Sequence, residues 1–291
     1  MLRLIKNKLF PYFPKLVTSV TFYLKHGYVI NWSNPKSFNE KISIRKLKPK
    51  SIFCDLSDKF LVRKYVESKI GDKYLIPLLW HGKKLEKLDF TTLPQKYVIK
   101  SNHASGIEHL EIIKDSRSIN IDKITRKFNR SVNTTYGIHS GEKQYQNIEP
   151  VILIEEFLGS ESNVPEDYKF HIFKNENGQH DWFLQVDIGR FGSHKRNIYS
   201  SELNRTDFYI KHQGTDFNLN LEKVKEMAEL AKILGQEFNY VRVDFYLIGE
   251  RIYFGEMTFC HGGGYERFYP TSADFMLGSK WNFQGGQDYE L

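Results

Sequence analysis

Two carboxylates, Asp244 and Glu256, lie in consecutive stretches of the sequence that both predict β-strands. Apolar residues alternate with polar ones over residues 241–247, which is the period of a strand with one buried face. A second stretch of this kind covers residues 252–259, and Gly249 between the two indicates a hairpin turn. The chemistry available to the two acidic side chains therefore depends on how the strands pair.

The length of the turn decides that pairing. A two-residue turn would pair Asp244 with Gly255 and leave Glu256 on the opposite face. A three-residue turn places Asp244 opposite Glu256 and Arg242 opposite Thr258. We predict the three-residue turn, because only that register separates the charged residues from the apolar ones.

Facing carboxylates have Cβ atoms about 4.5–5.5 Å apart and repel each other. A divalent cation would remove this repulsion, and Mg²⁺ is usually held by one or two carboxylates together with phosphate oxygens. A solvated sheet face with alternating charges is the other interpretation, and the hairpin alone leaves both open.

The composition limits the kinds of partner. The chain has 291 residues and a net charge of +7, from 42 Lys and Arg against 35 Asp and Glu. This excess favours an anionic partner, and no DNA- or RNA-binding module is recognisable. The two cysteines, Cys54 and Cys260, are too few for a disulfide scaffold, so we expect a reducing compartment.

The first thirty residues contain no convincing export signal or membrane span, because the apolar run at 16–24 is short and interrupted by hydroxyl side chains. Basic and apolar residues are interspersed from residue 2 to 25. Packing on the main domain, which we favour, and association with a membrane surface both remain open.

Further elements would position cationic groups. Ser37 and Glu40 form a capping-box pattern that predicts a helix to about residue 46. A second helix is predicted over 58–70, with Lys59 in its first turn. A short strand at 97–100 ends in Lys100, and the small residues of 101–106 would let backbone N–H groups approach an anion.

The remaining pattern alternates strands and helices. We predict a helix from about residue 121 to 132, a buried strand at 151–154 that continues into 155–158, strands at 168–173 and 182–186, and an inward-facing helical stripe over 221–234. The cationic stretch 189–196 either clamps an anionic group or is an exposed loop.

Six short motifs then occur in a familiar order: NPKSFNEK, SDKFLVRKYV, YVIKSNHASG, ILIEEFL, DYKFHIF and VRVDFYLIGERIYFGEMTF. From about residue 34 to 278 they make the chain resemble the ATP-grasp superfamily, and within it the TupA-like family of teichuronopeptide biosynthesis. The resemblance implies an α+β fold in which two subdomains clasp ATP. We expect an N-terminal helical extension at 1–50, a region with the small lid subdomain at 51–158, and a C-terminal subdomain with the metal site at 159–291.

The resemblance also implies roles for individual residues. For the nucleotide these are Lys59, Lys100, Ser105, Gly106, Glu155, Glu156 and Leu158; for Mg²⁺ they are Asp244, Glu256 and Thr258; for catalysis they are Arg242, His261 and Lys169. Many superfamily members have Asn where this chain has Thr258, which puts the number of protein ligands to a second Mg²⁺ in doubt.

The implied activity is ATP-dependent carboxylate–amine ligation in bacterial surface polysaccharide synthesis, with an anionic glycan or nucleotide sugar and an amine as substrates. We expect a cytoplasmic enzyme, with the inner face of the membrane as an open alternative. A phosphotransferase acting on a glycan and a glycosyltransferase are the rival functions; the absence of an Asp-x-Asp motif weighs against the latter.

Overall fold

The chain folds as two larger antiparallel sheets and a small two-stranded one, with helices covering them, in a computed structural model that describes residues 8–138, 140–159, 165–189 and 192–291. The helices are α1 (Pro14–His26), α2 (Phe38–Leu47), α3 (Ser51–Ser57), α4 (Val62–Ile70), α5 (Ile121–Ser131), α6 (Leu221–Gly235) and α7 (Ser272–Ser279). The strands are β1 (Leu78–Gly82), β2 (Tyr97–Ser101), β3 (Leu110–Ile113), β4 (Ile152–Glu156), β5 (Asp167–Lys174), β6 (His180–Ile188), β7 (Lys195–Tyr199), β8 (Tyr209–Ile210), β9 (Tyr240–Ile248), β10 (Arg251–Thr258) and β11 (Phe268–Tyr269). The predicted α+β class is confirmed.

The larger sheet has the strand order β10-β9-β5-β6-β7. Its alternating sequences place apolar side chains on one face, where Phe170, Val243 and Phe245 are completely buried. Helix α6 packs on this face through Ala231 and Leu234. Leu221, which the sequence placed on the inward stripe, is 53% exposed, so that part of the prediction is wrong. The opposite face carries the polar side chains.

The hairpin β9–β10 has the predicted pairing but a different turn. Ile248 pairs with Arg251 across a two-residue turn, so the three-residue turn was wrong. The register then shifts by one residue between Phe254 and Glu256. This β-bulge leaves Gly255 as the extra residue and brings Glu256 opposite Asp244.

The smaller sheet has the order β1-β4-β2-β3, in which β2 and β4 match the predicted strands. Its buried face, with Tyr97, Ile99 and Ile154, packs against Ile124 and Phe128 of α5. The other face, which carries the side chain of Lys100, is turned toward the larger sheet and leaves a cavity between the two sheets. The sheets thus enclose a space at the point where β4 leads toward β5.

The helix predicted over 58–70 is divided in two. Helix α3 ends at Ser57 and α4 begins at Val62, so Lys59 lies in the connection and not in a first helical turn. Asp58 causes this break, because its carboxylate accepts hydrogen bonds from the backbone N–H groups of Phe60 (2.7 Å) and Leu61 (3.3 Å).

The N-terminal helices pack on the larger sheet's side of the molecule. Ser37 caps α2 with the predicted capping box, and Phe38 and Ile42 join a core cluster with Phe173 and Tyr240. In the described part of the chain, none of the helices is long and apolar enough to cross a membrane. The division of the chain at residues 50 and 158 stays a prediction.

Candidate active site

The polar face of the larger sheet carries a row of charged side chains on adjacent strands. Glu256 of β10 pairs with Asp244 of β9, Asp244 pairs with Lys169 of β5, and Lys169 pairs with Gln185 of β6. All four side chains point to the same face, because residues in register on neighbouring antiparallel strands share a face. The alternation that the sequence showed in each strand therefore produces one continuous polar site.

Asp244 is the most enclosed of these carboxylates, with 1% of its surface exposed. Lys169 Nζ donates to Asp244 Oδ2 at 2.5 Å, while Arg242 donates from Nε to Oδ1 at 2.7 Å and from a terminal nitrogen to Oδ2 at 2.8 Å. Two cations thus balance this buried negative charge. The sequence indicated Arg242 beside Asp244, and the sheet brings Lys169, which the resemblance implied for catalysis, to the same carboxylate from a strand about seventy-five positions earlier.

Glu256 is more accessible than Asp244, with 35% of its side chain exposed. Arg242 donates to Glu256 Oε1 at 2.7 Å, and the hydroxyl of Thr258 donates to the same oxygen at 3.1 Å. Burial acts against the charge of Arg242, but the two carboxylates outweigh it and hold the pKa of the guanidinium above its usual value. The structure brings together the three predicted metal-binding residues, and Thr258 contacts Glu256.

His261 stands behind Arg242 and is 2% exposed. Arg242 donates to His261 Nδ1 at 2.8 Å, and His261 Nε2 lies 3.3 Å from Glu266 Oε2. A guanidinium has no acceptor, so Nδ1 must be the unprotonated nitrogen and Nε2 carries the hydrogen. Burial lowers the pKa of His261, although the neighbouring Glu266 opposes this shift, and the ring is therefore neutral.

The cavity between the sheets adjoins this site. It has a volume of about 150 Å³, and its apolar lining includes Val98, Leu110 and Ile112. The connection from β4, including Glu156 and Leu158, forms another wall, and Asp167 and Tyr246 connect the cavity with the charged row. The space is mainly apolar with a polar rim, which suits a flat aromatic ring whose substituents reach polar groups.

Lys100 projects into this cavity and forms an ion pair with Glu155, with 2.6 Å between Lys100 Nζ and Glu155 Oε2. Glu155 is 3% exposed and also lies 3.4 Å from Arg63, which the sequence reasoning missed. The Glu155 carboxylate is therefore already neutralised from both sides. Glu156 is exposed, and its backbone N–H donates to the carbonyl of Pro77 at 3.0 Å.

Lys59 contacts the loop that follows β2. Its Nζ donates to the carbonyl of Ala104 at 2.8 Å and approaches that of Asn102 at 3.4 Å. Burial lowers the pKa of Lys59, an effect that Glu256 opposes, so the lysine lies within the field of the charged row. Lys59 therefore shapes this loop from the edge of the site.

Ser105 and Gly106 form the exposed tip of the same loop. The Ser105 hydroxyl is 2.6 Å from that of Tyr136, and Gly106 has a φ of +96° that favours glycine. Asn102 anchors the base of the loop by donating to Asp58 Oδ2 at 2.9 Å. The loop thus has a fixed base and an open tip.

Further charged residues, which the sequence reasoning did not assign, continue the site along β6 and β7. Arg196 contacts Asp187 at 2.6 Å and Glu266 at 2.8 Å. Burial raises the pKa of both carboxyls, but Arg196 holds that of Asp187, and His261 together with Arg196 that of Glu266, well below the usual range. Asp187 lies two residues after Gln185 and therefore on the same face of β6. This alternation is the sequence signal that could have identified it. Arg196 ends the predicted cationic stretch 189–196, of which residues 190 and 191 lie outside the described residues.

The donor set fits a hard divalent cation. Asp244, Glu256 and Thr258 offer only oxygen atoms, which is the chemistry that Mg²⁺ prefers. Among the described residues, no group of three or more His, Cys, Asp or Glu side chains could hold a metal ion. Mg²⁺ is usually held by one or two carboxylates where phosphate oxygens complete its coordination.

Comparisons with known proteins give a family for the sequence. A family model described as TupA-like ATPgrasp matches residues 40–282, which is most of the chain. A search of curated proteins found no match.

Solved structures similar to this chain include an ADP complex of N5-carboxyaminoimidazole ribonucleotide synthetase, at a TM-score of 0.44 and 13% identity over 72% of this chain and 46% of that one. D-Alanine-D-alanine ligase from Helicobacter pylori aligns at a TM-score of 0.42 and 16% identity, over 77% of this chain and 59% of that one. The ligase of the same name from Bacillus anthracis, complexed with ATP, aligns at a TM-score of 0.39 and 16% identity, over 70% of this chain and 55% of that one. The chain thus spans about half the length of these structures.

Proposed function

Because the chain belongs to the TupA-like ATP-grasp family, we propose that it is an ATP-dependent ligase that joins a carboxylate to an amine. The observation that supports this most directly is the row of Glu256, Asp244 and Lys169 beside the apolar cavity that Lys100 enters. A nucleoside triphosphate requires an apolar cavity for its base and charged groups for its phosphates, and the cavity beside the facing carboxylates and cations offers both.

The nucleotide would bind with adenine in the cavity and its phosphates over the charged row. Val98 and Ile112 would contact the faces of the base, and the backbone of the connection after β4, up to Leu158, would read its edge. The phosphates would then extend past Lys100 toward Lys59. The loop tip with Ser105 and Gly106 would supply backbone N–H groups to them.

Mg²⁺ would be held by Asp244 and Glu256, with Thr258 as a weaker ligand, and when bound it neutralises phosphate charge. In the structure these carboxylates are neutralised by Arg242 and Lys169. Lys169 would turn from Asp244 to the transferring phosphoryl group, while Arg242 would stay in place beside the carboxylates. Such an exchange keeps the buried charge of Asp244 compensated throughout.

The reaction we propose proceeds in two displacements. A substrate carboxylate oxygen attacks the γ-phosphorus, the bond to the β-phosphate oxygen breaks, and an acyl phosphate and ADP form. An amine nitrogen then attacks the acyl carbon, phosphate leaves, and the amine proton is released. Arg242 would stabilise the negative charge that develops on the acyl oxygen, held in place by His261 behind it.

The substrates we propose are a uronic acid or amino acid that supplies the carboxylate and an amine partner, within bacterial surface polysaccharide synthesis. The net charge of +7 supports an anionic glycan or nucleotide sugar as one of them. We place the reaction in the cytoplasm, where ATP and nucleotide sugars are available.

The test is to incubate the protein with ATP, Mg²⁺, a UDP-uronic acid and a mixture of amino acids, and to measure ADP release. Release that needs both the sugar and an amine, with an amide in the product, is expected. Release with the sugar alone, and a phosphorylated sugar as product, would overturn ligation in favour of a kinase. A Glu256→Gln variant controls for contaminating ATPases.

A further inference from the structure

Helix α1 has an exposed apolar side. Leu16, Val20 and Leu24 have 61%, 53% and 73% of their surface exposed, and their spacing puts them on one side of the helix. Phe13 and Tyr23, both 53% exposed, flank this row. We refer to these five side chains as the apolar stripe. Contiguous exposed apolar surface of this kind marks an interaction site on a folded protein.

The opposite side of α1 holds the helix firmly on the protein body. Thr18 and Phe22 are completely buried, His26 is also buried, and His26 Nε2 lies 3.0 Å from the carbonyl oxygen of Gly264. The helix ends at Gly27, whose left-handed backbone gives a regular C-cap. The apolar stripe is therefore a fixed part of the surface.

The charge of the N-terminal segment that carries the stripe has one sign. Six lysine and arginine residues and no aspartate or glutamate precede Glu40 in the sequence. Of these basic residues, Lys8, Lys15 and Lys25 are exposed on and beside α1. We propose that the apolar stripe binds the surface of an anionic lipid bilayer, with α1 lying parallel to the membrane plane.

Two features favour a bilayer over a second copy of this chain. Two copies joined through α1 would bring the same basic side chains together without any acidic partner from this segment, and these charges would repel. The stripe also contains Phe13 and Tyr23, with Tyr12 beside it at 78% exposure. Aromatic rings of this kind favour the boundary between lipid headgroups and acyl chains.

Membrane binding in this orientation has a consequence for the active site. Gly264 ends the segment His261–Gly264, whose first residue contacts Arg242. The contact between His26 and Gly264 therefore leaves about one helix diameter, roughly 10 Å, between this loop and the lipid. The membrane proposal goes beyond the proposed reaction and does not depend on it.

The experiment uses the full chain and sedimented vesicles of two compositions, one with equal parts of phosphatidylglycerol and phosphatidylcholine and one of phosphatidylcholine alone. We expect the protein to sediment with the anionic vesicles only, and less of it as salt is raised. Leu16→Asp with Leu24→Asp should weaken this binding at least about tenfold. Lys15→Glu with Lys25→Glu should weaken it by about fivefold or more for each position.

The matched control is Leu88→Asp, because Leu88 is 77% exposed but lies outside the stripe, in the 3-10 segment Lys87–Phe90. This variant should bind vesicles as the unchanged protein does, and all variants should keep their thermal stability. The proposal is overturned if the unchanged protein stays in solution with anionic vesicles, or if the double leucine variant still sediments with them. A dimer that the leucine substitutions abolish, without vesicle binding, would instead make the stripe an interface between copies.

Discussion

Asp244 and Glu256 are direct partners across β9 and β10, although the turn that joins these strands would by itself pair Asp244 with Gly255. The bulge at Gly255 makes the difference by adding one residue to β10. A Cβ atom on Gly255 would lie 3.1 Å from the carbonyl oxygen of Asp244, so a side chain here requires the backbone at Asp244 to move by a few tenths of an ångström. The facing carboxylates therefore depend on this one backbone position.

Replacing Gly255 by valine should disturb both the carboxylate pair and the fold. The branched side chain has to move the Asp244 carbonyl, which we expect to cost about 1–3 kcal/mol of stability and to weaken Mg²⁺-dependent ATP binding about tenfold or more. Calorimetric titration with MgATP and thermal unfolding measure the two effects, and Gly255→Ala should give smaller ones. MgATP binding unchanged by valine would show that the bulge does not position the site.

The two carboxylates should respond differently to the loss of their charge. Asp244→Asn leaves Arg242 and Lys169 without their shared buried partner, so we expect about 3–5 kcal/mol of destabilisation. Glu256→Gln affects a side chain that is 35% exposed, and its stability cost should stay below about 1 kcal/mol.

Both variants should nevertheless lose most of their Mg²⁺-dependent ATP turnover, because both carboxylates are proposed metal ligands. Urea unfolding and ADP release measure the two properties separately. Full turnover in Glu256→Gln would remove Glu256 from the metal site.

The parts of this fold that the sequence predicted are those that local patterns determine. The capping box at Ser37 and the alternation around Asp244 each depend on neighbours in sequence. The same alternation placed Asp244 and Glu256 on one face, because the apolar and charged sets separate in only one register. The fold was therefore predictable wherever periodicity and capping act within one or two elements.

The features that were missed depend on distant contacts. Asp58 interrupts the predicted helix while its carboxylate accepts a hydrogen bond from Asn102, on a loop far along the chain. The strands β1 and β3 lie at the edges of their sheet and have short, weakly alternating sequences. The sequence pattern did not predict the bulge at Gly255, because a longer turn gives the same pairing of Asp244 with Glu256.

Stability should fall in mildly acidic solution, because buried neutral histidines have to take up protons. Burial lowers the pKa of His26 and of His103 from 6.5 to about 4. Below pH 6.5 the unfolded chain binds more protons at these histidines than the folded protein does. The stability that the two neutral histidines contribute is therefore fully present above pH 6.5 and is lost progressively as the pH falls toward about 4. At about pH 5 each histidine should lower the free energy of unfolding by about 2 kcal/mol.

Urea unfolding across this pH range measures the effect. His26→Gln keeps a donor for the carbonyl of Gly264 and should reduce the dependence on pH, whereas the same change at the exposed His81 should not. A pH dependence that is identical in all three proteins would contradict a neutral His26.

Variants of the ion pair between Lys100 and Glu155 should show whether Lys100 acts on stability, on ATP binding or on both. Lys100→Met leaves the buried Glu155 with only the longer contact to Arg63, which should cost about 1–3 kcal/mol, and it should also weaken ATP binding about tenfold or more. Adding Glu155→Gln should restore much of the stability, because no unpaired charge is then buried, but not the ATP affinity. Restored ATP binding in the double variant would mean that Lys100 acts only on structure.

His261 should act by positioning Arg242 and not by transferring protons. Its Nδ1 accepts from Arg242 at 2.8 Å, and its buried ring is held neutral. His261→Asn keeps an acceptor near the position of Nδ1 and should retain most of kcat. His261→Leu leaves one terminal nitrogen of Arg242 without its acceptor and should lower kcat about tenfold or more with little change in KM for ATP. ADP release measured between about pH 6 and 8 should then show the same pH profile in the unchanged protein and in His261→Asn. Equal losses in both variants, together with the disappearance of an acidic limb from the profile, would instead identify His261 as an acid–base group.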